Sequence, residues 1–463
     1  MKQLILFLIL PFFNLISCMH HSGYAGQEQA AINYRNYCAG CHGDQLQKFS
    51  KSTWMYGDGD AELIQSIRDG REDIGMPAFG ATFSEAELKA LARYVKAGIP
   101  ADKSVLKPAE TKGGIVESEV QKFFVDTIVS GLDVPWGLEF LPNGELLIAE
   151  RSAKLYRFTN NELQEISGLP EIMVKGQGGL LDLELHPDYA TNGWLYLAYS
   201  GFAENNKKEG CTNIMRARIE GNRLVGQEVI FNGSPDSDKG HHWGCKLEFD
   251  KNGYLFFGIG DRGSHFVNPQ NLDNHCGKIH RIHDDGSIPK DNPFVNTAGA
   301  MPSIYSYGHR NPQGTCMHPG TGEIWETEHG PKGGDELNII RPGKNYGWPV
   351  ISYGINYDGT ILTELTKKEG MEQPETYWVP SIAPCGMTFV KGERYANWKN
   401  NILVGSLRFM YLERIELEGK KVAHQEKLLE GTGRVRNVEM SPDGFIYVAV
   451  EKPGKIMKLV PVD

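Results

Sequence analysis

The chain has 463 residues and carries 48 Lys and Arg against 58 Asp and Glu, a formal net charge of −10. With no basic run beyond pairs such as Lys207-Lys208, this acidic balance argues against nucleic acid as a partner.

The N-terminus, "MKQLILFLILPFFNLISCMHH", has one Lys and then an apolar run broken by Pro11 and Asn14. It is too short and interrupted to span a membrane, so residues 1–17 are predicted to be a signal peptide. "LISC" resembles a bacterial lipoprotein box, which implies cleavage before Cys18 and acylation of its thiol, with residues 18–30 as a tether. An ordinary signal peptide with a chance cysteine is the alternative. The expected location is periplasmic, with a lipid holding the protein at the cell membrane or outer membrane of a Gram-negative bacterium.

"NYCAGCHGD" follows. Two thiols spaced C-x-x-C and followed directly by His form the c-type haem attachment pattern. Cys38 and Cys41 are the predicted thioether positions and His42 the first iron ligand. The second is Met76 in "IGMPAFG", and His/Met ligation raises the iron's potential, as suits an electron acceptor. The alternatives are a thioredoxin-like pair, which would need a βαβ context, or half a zinc site, which would need two more close ligands. In "SEAELKALARYVKAG", Ser84 and Glu87 can cap a helix whose apolar stripe is Leu88, Leu91, Ala92 and Val95. From about Ala31 to Ala97 the segment resembles a small class I cytochrome c, so residues 31–100 are expected to be an all-α haem domain.

Residues 101–122 are polar with two prolines and a Gly pair, and read as a linker. From Phe123 the texture changes to short apolar runs split by Gly, Pro, Asn and Asp. One phrase recurs, as "FLPNGELLIAER" from Phe140, "LHPDYATNGWLYLAYS" from Leu185 and "FDKNGYLFFGIGDRG" from Phe249. It returns as "MHPGTGEIWETEHG" from Met317, "FVKGERYANWKNNILVGSL" from Phe389 and "MSPDGFIYVAVE" from Met440. Each copy reads as strand, Gly turn, strand. Spacings of roughly 45 to 70 residues predict a β-propeller over 123–463, of six blades with five or seven as alternatives. The Gly-rich turn ends of the inner strands are expected to surround a central channel that holds the chemistry.

Other phrases are not needed by a propeller. In "GHHWG", neighbouring strand residues point to opposite faces, so one His faces the channel, where a neutral imidazole suits a general base. The alternatives there are a metal pair with Cys245 or a structural His. "YGHRNPQG" brings Arg310 and Asn311 to a strand's turn end. "GRVRN" puts Arg434 and Arg436 on one strand face, an arrangement favoured when an anion lies between them. With "GQGGLLDLELHP", "GIGDRGS", "TEHGPKGGDELN", "NYGWP" and "SIAPCG", these phrases resemble the soluble PQQ-dependent glucose and aldose dehydrogenases, from about Val125 to Leu459.

The resemblance implies His242 as the base, supported by Asp261, with Gln177, Arg310, Asn311, Ser381, Arg408, Arg434 and Arg436 around PQQ. It also implies a catalytic Ca²⁺ on the carbonyls of Gly330 and Pro331, and a structural Ca²⁺ at Glu336 and the carbonyl of Tyr346. His241 falls where some relatives carry an acidic residue, and Arg408 where they often carry Lys. The implied activity is sugar oxidation by base-assisted hydride transfer to PQQ, with electrons passing to haem c and on to a downstream acceptor. The rivals are a non-catalytic binding propeller carrying the cytochrome, a sorbosone-type aldehyde or polyol dehydrogenase, and a cytochrome on a structural propeller. Of the eight cysteines, Cys211, Cys245, Cys276, Cys316 and Cys385 have no assigned role, and five is odd, so at least one should lack an intramolecular partner.

Overall fold

Six antiparallel sheets follow one another along the chain, and each begins with a strand that ends in a copy of the recurring phrase. The computed structural model describes residues 29–34, 37–38, 42, 56–57, 59–71, 76, 78–80, 82–97 and 114–462. Cys18 and Cys41 lie outside them, as does the expected signal peptide.

Blade 1 is Pro135–Phe140, Leu146–Glu150, Lys154–Thr159 and Glu162–Ile166, and blade 2 runs from Leu180–Leu185 to Arg223–Asn232. Blade 3 starts at Leu247–Phe249, blade 4 at Pro312–Met317, blade 5 at Pro384–Phe389 and blade 6 at Arg434–Met440. These six first strands touch one another in sequence around a ring, the sixth returning to the first. The ring is closed by strand pairing between the chain's two ends: Lys122–Leu132 pairs with the C-terminal strand Gly454–Val462, so both ends of the propeller share blade 6. Ile115–Glu117, inside the segment read as linker, adds a fifth strand to that blade.

The recurring phrase forms the turn between first and second strands. In blade 1, Gly144 at φ 86° closes the turn on the Leu141 carbonyl, and Gly253 and Gly444 do the same in blades 3 and 6. A side chain at this positive φ would be strained, which explains the repeated glycine. The alternating apolar residues pack between blades. Six clusters fill the six interfaces, such as Leu181, Tyr196, Leu247 and Phe257 between blades 2 and 3, or Val129, Leu138, Ile148 and Ala449 between blades 6 and 1.

Among the described residues ahead of the propeller are the helices α1 (Asp60–Asp69) and α2 (Glu85–Ala97). The expected cap on α2 is formed: the Ser84 amide and hydroxyl donate to Glu87 Oε2 at 2.9 and 2.7 Å. Leu88, Leu91, Ala92 and Val95 are its buried residues and pack with Tyr34, Leu63, Phe79 and Phe83. Cys38 and Met76 lie against this same cluster. No helix among the described residues is long and apolar enough to cross a membrane.

Candidate active site

Antiparallel blades bring two chain positions to one mouth of the ring: the start of each first strand, and the turn after each second strand. A cavity opens there. Trp136, Gln177, His242, Arg310, Ser381, Arg434 and Arg436 come to it from the first position. Arg151, His329, Arg408 and Lys452 come from the second, directly after or within two residues of the second strands. The glycine turns of the recurring phrase therefore cap the opposite mouth. The sequence expectation put these glycine turns around the channel's cavity, whereas the residues lining the cavity come from the other ends of the strands.

His242 is not on a strand. Residues 241–246 form a loop before Leu247–Phe249, and His242 has φ 56°. The strand-alternation argument fails, and a backbone twist selects the ring instead. Gln177 fixes that twist by accepting the His242 amide at 2.9 Å. Gly176 allows the two loops to meet, since a Cβ there would stand 2.2 Å from the Gly240 carbonyl oxygen. His242 Nδ1 lies 2.6 Å from Asp261 Oδ1. Asp261 is fully buried and also accepts from the Gly263 amide at 2.8 Å and the Trp348 indole at 2.9 Å. Burial opposes its ionisation, but His242, Arg310 and the Gly263 amide outweigh burial and hold the carboxyl well below its usual range. With a carboxylate on Nδ1, the proton belongs there and the Nε2 lone pair is left as the base. Burial first, then Arg310, lowers the His242 pKa and keeps the ring neutral. His241 packs edge-on against it with ring centroids 4.7 Å apart, and burial pushes it down to about 2.

The lining of the cavity is cationic. Among the described residues it carries Arg151, Arg310, Lys332, Arg408, Arg434, Arg436 and Lys452 against one carboxylate, Glu451. The anion expected between Arg434 and Arg436 is in part Glu451, which accepts from Arg434 Nε at 3.1 Å and from Arg436 Nε at 2.6 Å. One carboxylate does not balance seven cations, so the wall is suited to a polyanionic ligand. Asn311 does not line the cavity: its Oδ1 accepts from the Gly244 amide at 3.2 Å and Gln313 at 3.3 Å, bracing the loop behind His242.

The loop of Gly330 and Pro331 borders the cavity. Gly330 touches the backbone of Gly334, 2.3 Å from where a Cβ would stand, so only glycine fits. Asp335 anchors this loop. It accepts from the Gly330 amide at 2.9 Å, the Ser381 hydroxyl at 2.8 Å and the Ala383 amide at 2.8 Å. Ser381 therefore holds the loop while lining the cavity.

Behind it, Glu326, Glu328 and Glu336 converge with His309 and Asn338 beside a smaller cavity that Glu336 and Tyr346 line. The Asn338 amide is within 3.2–3.3 Å of all three carboxylates, and Glu326 Oε1 is buried without a hydrogen bond. Burial, then Glu328, raises the pKa values of Glu326 and Glu336 well above the carboxylate range. Glu328 also accepts from the Arg310 amide at 2.5 Å, while Glu326 and Glu336 share the Asn338 amide, so the cluster fits a bound cation.

Arg151, Glu451, Asp335 and Lys332 were not singled out from the sequence. Arg151 follows "GELLIAE" where Arg408 follows "NNILVGSL" and Lys452 follows "FIYVAVE", so aligning the repeat copies would have found it. Asp335 carried no such signal. Cys211, Cys245, Cys276, Cys316 and Cys385 form no disulfide with one another, and Cys211 and Cys276 are in hydrogen-bond contact.

Comparison with known proteins matches residues 132–458 to the glucose/sorbosone dehydrogenase family model and residues 25–95 to that of the cytochrome c oxidase, cbb3-type, subunit III. The aldose sugar dehydrogenase of Escherichia coli is 37% identical over 344 residues, covering 73% of this chain and 92% of that protein. A glucose dehydrogenase crystal structure superposes with a TM-score of 0.70 at 40% identity, covering 73% of this chain and 99% of that one. The PQQ-bound aldose sugar dehydrogenase of Streptomyces coelicolor gives 0.61 at 28% identity, covering 74% and 99%.

Proposed function

The chain belongs to the glucose/sorbosone dehydrogenase family, joined to a cytochrome c domain, and from that premise we propose that it oxidises an aldose sugar at the cationic cavity and passes the electrons to its own haem. The observation that carries this reading is a neutral, carboxylate-supported imidazole in a cavity lined by seven cations and one carboxylate. Arg151, Arg310, Arg408, Arg434 and Arg436 would hold the carboxylates of PQQ, and the carbonyls of Gly330 and Pro331 would hold Ca²⁺ beside it. The bound PQQ and Ca²⁺ would supply the hydride acceptor and its polarising Lewis acid.

His242 Nε2 takes the proton from the sugar hydroxyl, and Asp261 stabilises the imidazolium that forms. Trp348 and Gly263 keep Asp261 in place, so the ring turns neither away from the sugar nor to the wrong tautomer. Oxidation of a cyclic aldose at its anomeric carbon gives a lactone. Glu336 and the Tyr346 carbonyl would hold a second, structural Ca²⁺. Cys38, Cys41, His42 and Met76 would hold haem c. The His42 amide lies 2.9 Å from the Cys38 carbonyl, the spacing of one helical turn. Haem attachment of this kind belongs to an exported protein, with Cys18 as its lipid anchor.

Titration of the calcium-loaded chain with PQQ tests this reading. Saturable binding at one equivalent, with sugar-dependent reduction of an artificial dye, is expected. Failure to bind PQQ would leave a propeller without this chemistry.

A further inference from the structure

We propose that the haem-attachment domain is a movable wall of the sugar pocket, in which Tyr37 closes the mouth against Lys332 and Tyr357 and so limits the length of sugar that reacts. The proposal rests on reading the cavity as a sugar site.

Tyr37 directly precedes Cys38. Phe79 and Phe83 hold its ring edge-on at centroid distances of 6.1 and 4.9 Å, so it is a fixed part of the small domain's core. Yet the same side chain lines the propeller's cavity, together with Lys332 and Tyr357. The Lys332 ammonium stands 3.6 Å from the centre of the Tyr37 ring, a cation–π contact. Lys332 follows Pro331, so this contact lies beside the loop proposed to hold the catalytic cation. From the propeller side, Tyr357 packs onto the small domain's apolar cluster. The Thr82 hydroxyl donates to the Asp358 carbonyl at 3.3 Å.

The seat is itself built. Lys332 and Ile355 pair as an antiparallel bridge, with N···O distances of 3.0 and 3.4 Å. The turn that follows is closed by the Asn356 amide on the Thr360 carbonyl at 3.0 Å and by the Thr360 amide on Asp358 Oδ1 at 2.9 Å. This turn belongs to the long insertion between the third and fourth strands of blade 4, Asp335–Ile340 and Thr376–Trp378, an excursion the blade does not need.

Among the described residues the closing contacts include one cation–π pair, one hydrogen bond and one aromatic packed on an apolar cluster. Losing the cation–π pair alone shifts the balance of closed and open forms by about 2- to 30-fold. Tyr37 is thus a cover over this mouth. A monosaccharide fits beneath it, whereas each added sugar unit must displace Tyr37, which raises KM for oligosaccharides and leaves kcat little changed.

The test uses the full chain. Loaded with PQQ and Ca²⁺, the wild type and Tyr37→Ala are compared on glucose, maltose and maltotriose with an artificial dye. The variant should raise the maltotriose-to-glucose ratio of kcat/KM about tenfold, through KM. Tyr37→Phe, which keeps the ring, should match the wild type and so separates loss of the cover from misfolding. The second readout needs no cofactor: the rate at which an amine-reactive reagent acylates Lys332, followed by peptide mass spectrometry, should rise in Tyr37→Ala. If Tyr37→Ala leaves both the sugar ratio and Lys332 labelling at wild-type values, the proposal is overturned. If the wild type oxidises no sugar, the catalytic reading and the sugar selection built on it fall. Lys332 labelling then still decides whether Tyr37 covers this face.

Discussion

Asp261 Oδ1 lies 2.6 Å from His242 Nδ1, and both residues come from blade 3, one before its first strand and one after its second. The pairing ties the base's tautomer to the rigid inner edge of the blade rather than to a mobile loop. His242→Ala is expected to lower kcat by about 10²- to 10⁴-fold with little change in PQQ affinity. Steady-state kinetics with an artificial acceptor check this.

The pH profile carries a sign that separates this pair from a solvent-exposed histidine. Burial and Arg310 lower the His242 pKa from its ordinary 6.5, so the acid limb of kcat/KM should lie below 6.5. Asp261 pulls the other way, favouring the charged ring. Asp261→Asn should therefore move the acid limb to still lower pH as well as lowering kcat. A limb that stays in place would show that Asp261 does not act on the base.

Arg151 tests the charge argument at a position the sequence motifs did not single out. Burial lowers its pKa, and Arg434 and Arg436 oppose its charge further. Its guanidinium donates to the Gly176 carbonyl at 3.0 Å. Arg151→Met should weaken PQQ binding about tenfold, a loss of about 1.4 kcal/mol, while the cofactor-free protein melts no lower than the wild type. Calorimetric titration and thermal melts distinguish this from general destabilisation, which would lower both.

The Glu326, Glu328 and Glu336 cluster predicts a calcium-dependent melting temperature. Chelation should lower stability by about 3–4 kcal/mol relative to calcium at 100 to 1,000 times its Kd. Glu336→Gln should abolish the calcium dependence. Equal melting curves with and without chelator would contradict a cation at this site.

At the other mouth, Glu139, Glu184, Glu248 and Glu439 occupy the penultimate positions of four first strands and share the channel with Lys246 and Lys391. Burial first raises Glu139 and Glu248 from 4.5 to about 7, with Glu439 adding repulsion. Folding then takes up protons between these values, so the stability these groups contribute is present at low pH and lost as pH rises towards 7. Glu139→Gln should stabilise the protein at pH 8 by on the order of 2 kcal/mol and change little at pH 4. Chemical denaturation at the two pH values measures it.

The ring of blades was legible because each blade repeats the same turn, and a left-handed glycine leaves a readable mark at Gly144, Gly253 and Gly444. The helix α2 was legible down to its cap, since Ser84 and Glu87 act across three residues. What sequence could not convey was side-chain contact between strands and between neighbouring blades. Glu451 meets Arg436 from the neighbouring strand, and Asp335 joins two loops some 46 residues apart through Ser381. Nor did strand alternation select His242, because a positive φ turns the backbone there. The seating of Tyr37 against Lys332 involves partners from two domains, and no local pattern encodes it.

The central claim is that sugar oxidation in the propeller reduces the haem of the same chain. The most direct measurement is the visible spectrum of the oxidised protein, dilute enough to exclude transfer between molecules, as PQQ, Ca²⁺ and an aldose are added singly and together. The account predicts reduced haem bands only when all three are present, at a rate independent of protein concentration. Haem that stays oxidised while sugar is consumed and an artificial dye is reduced would contradict it.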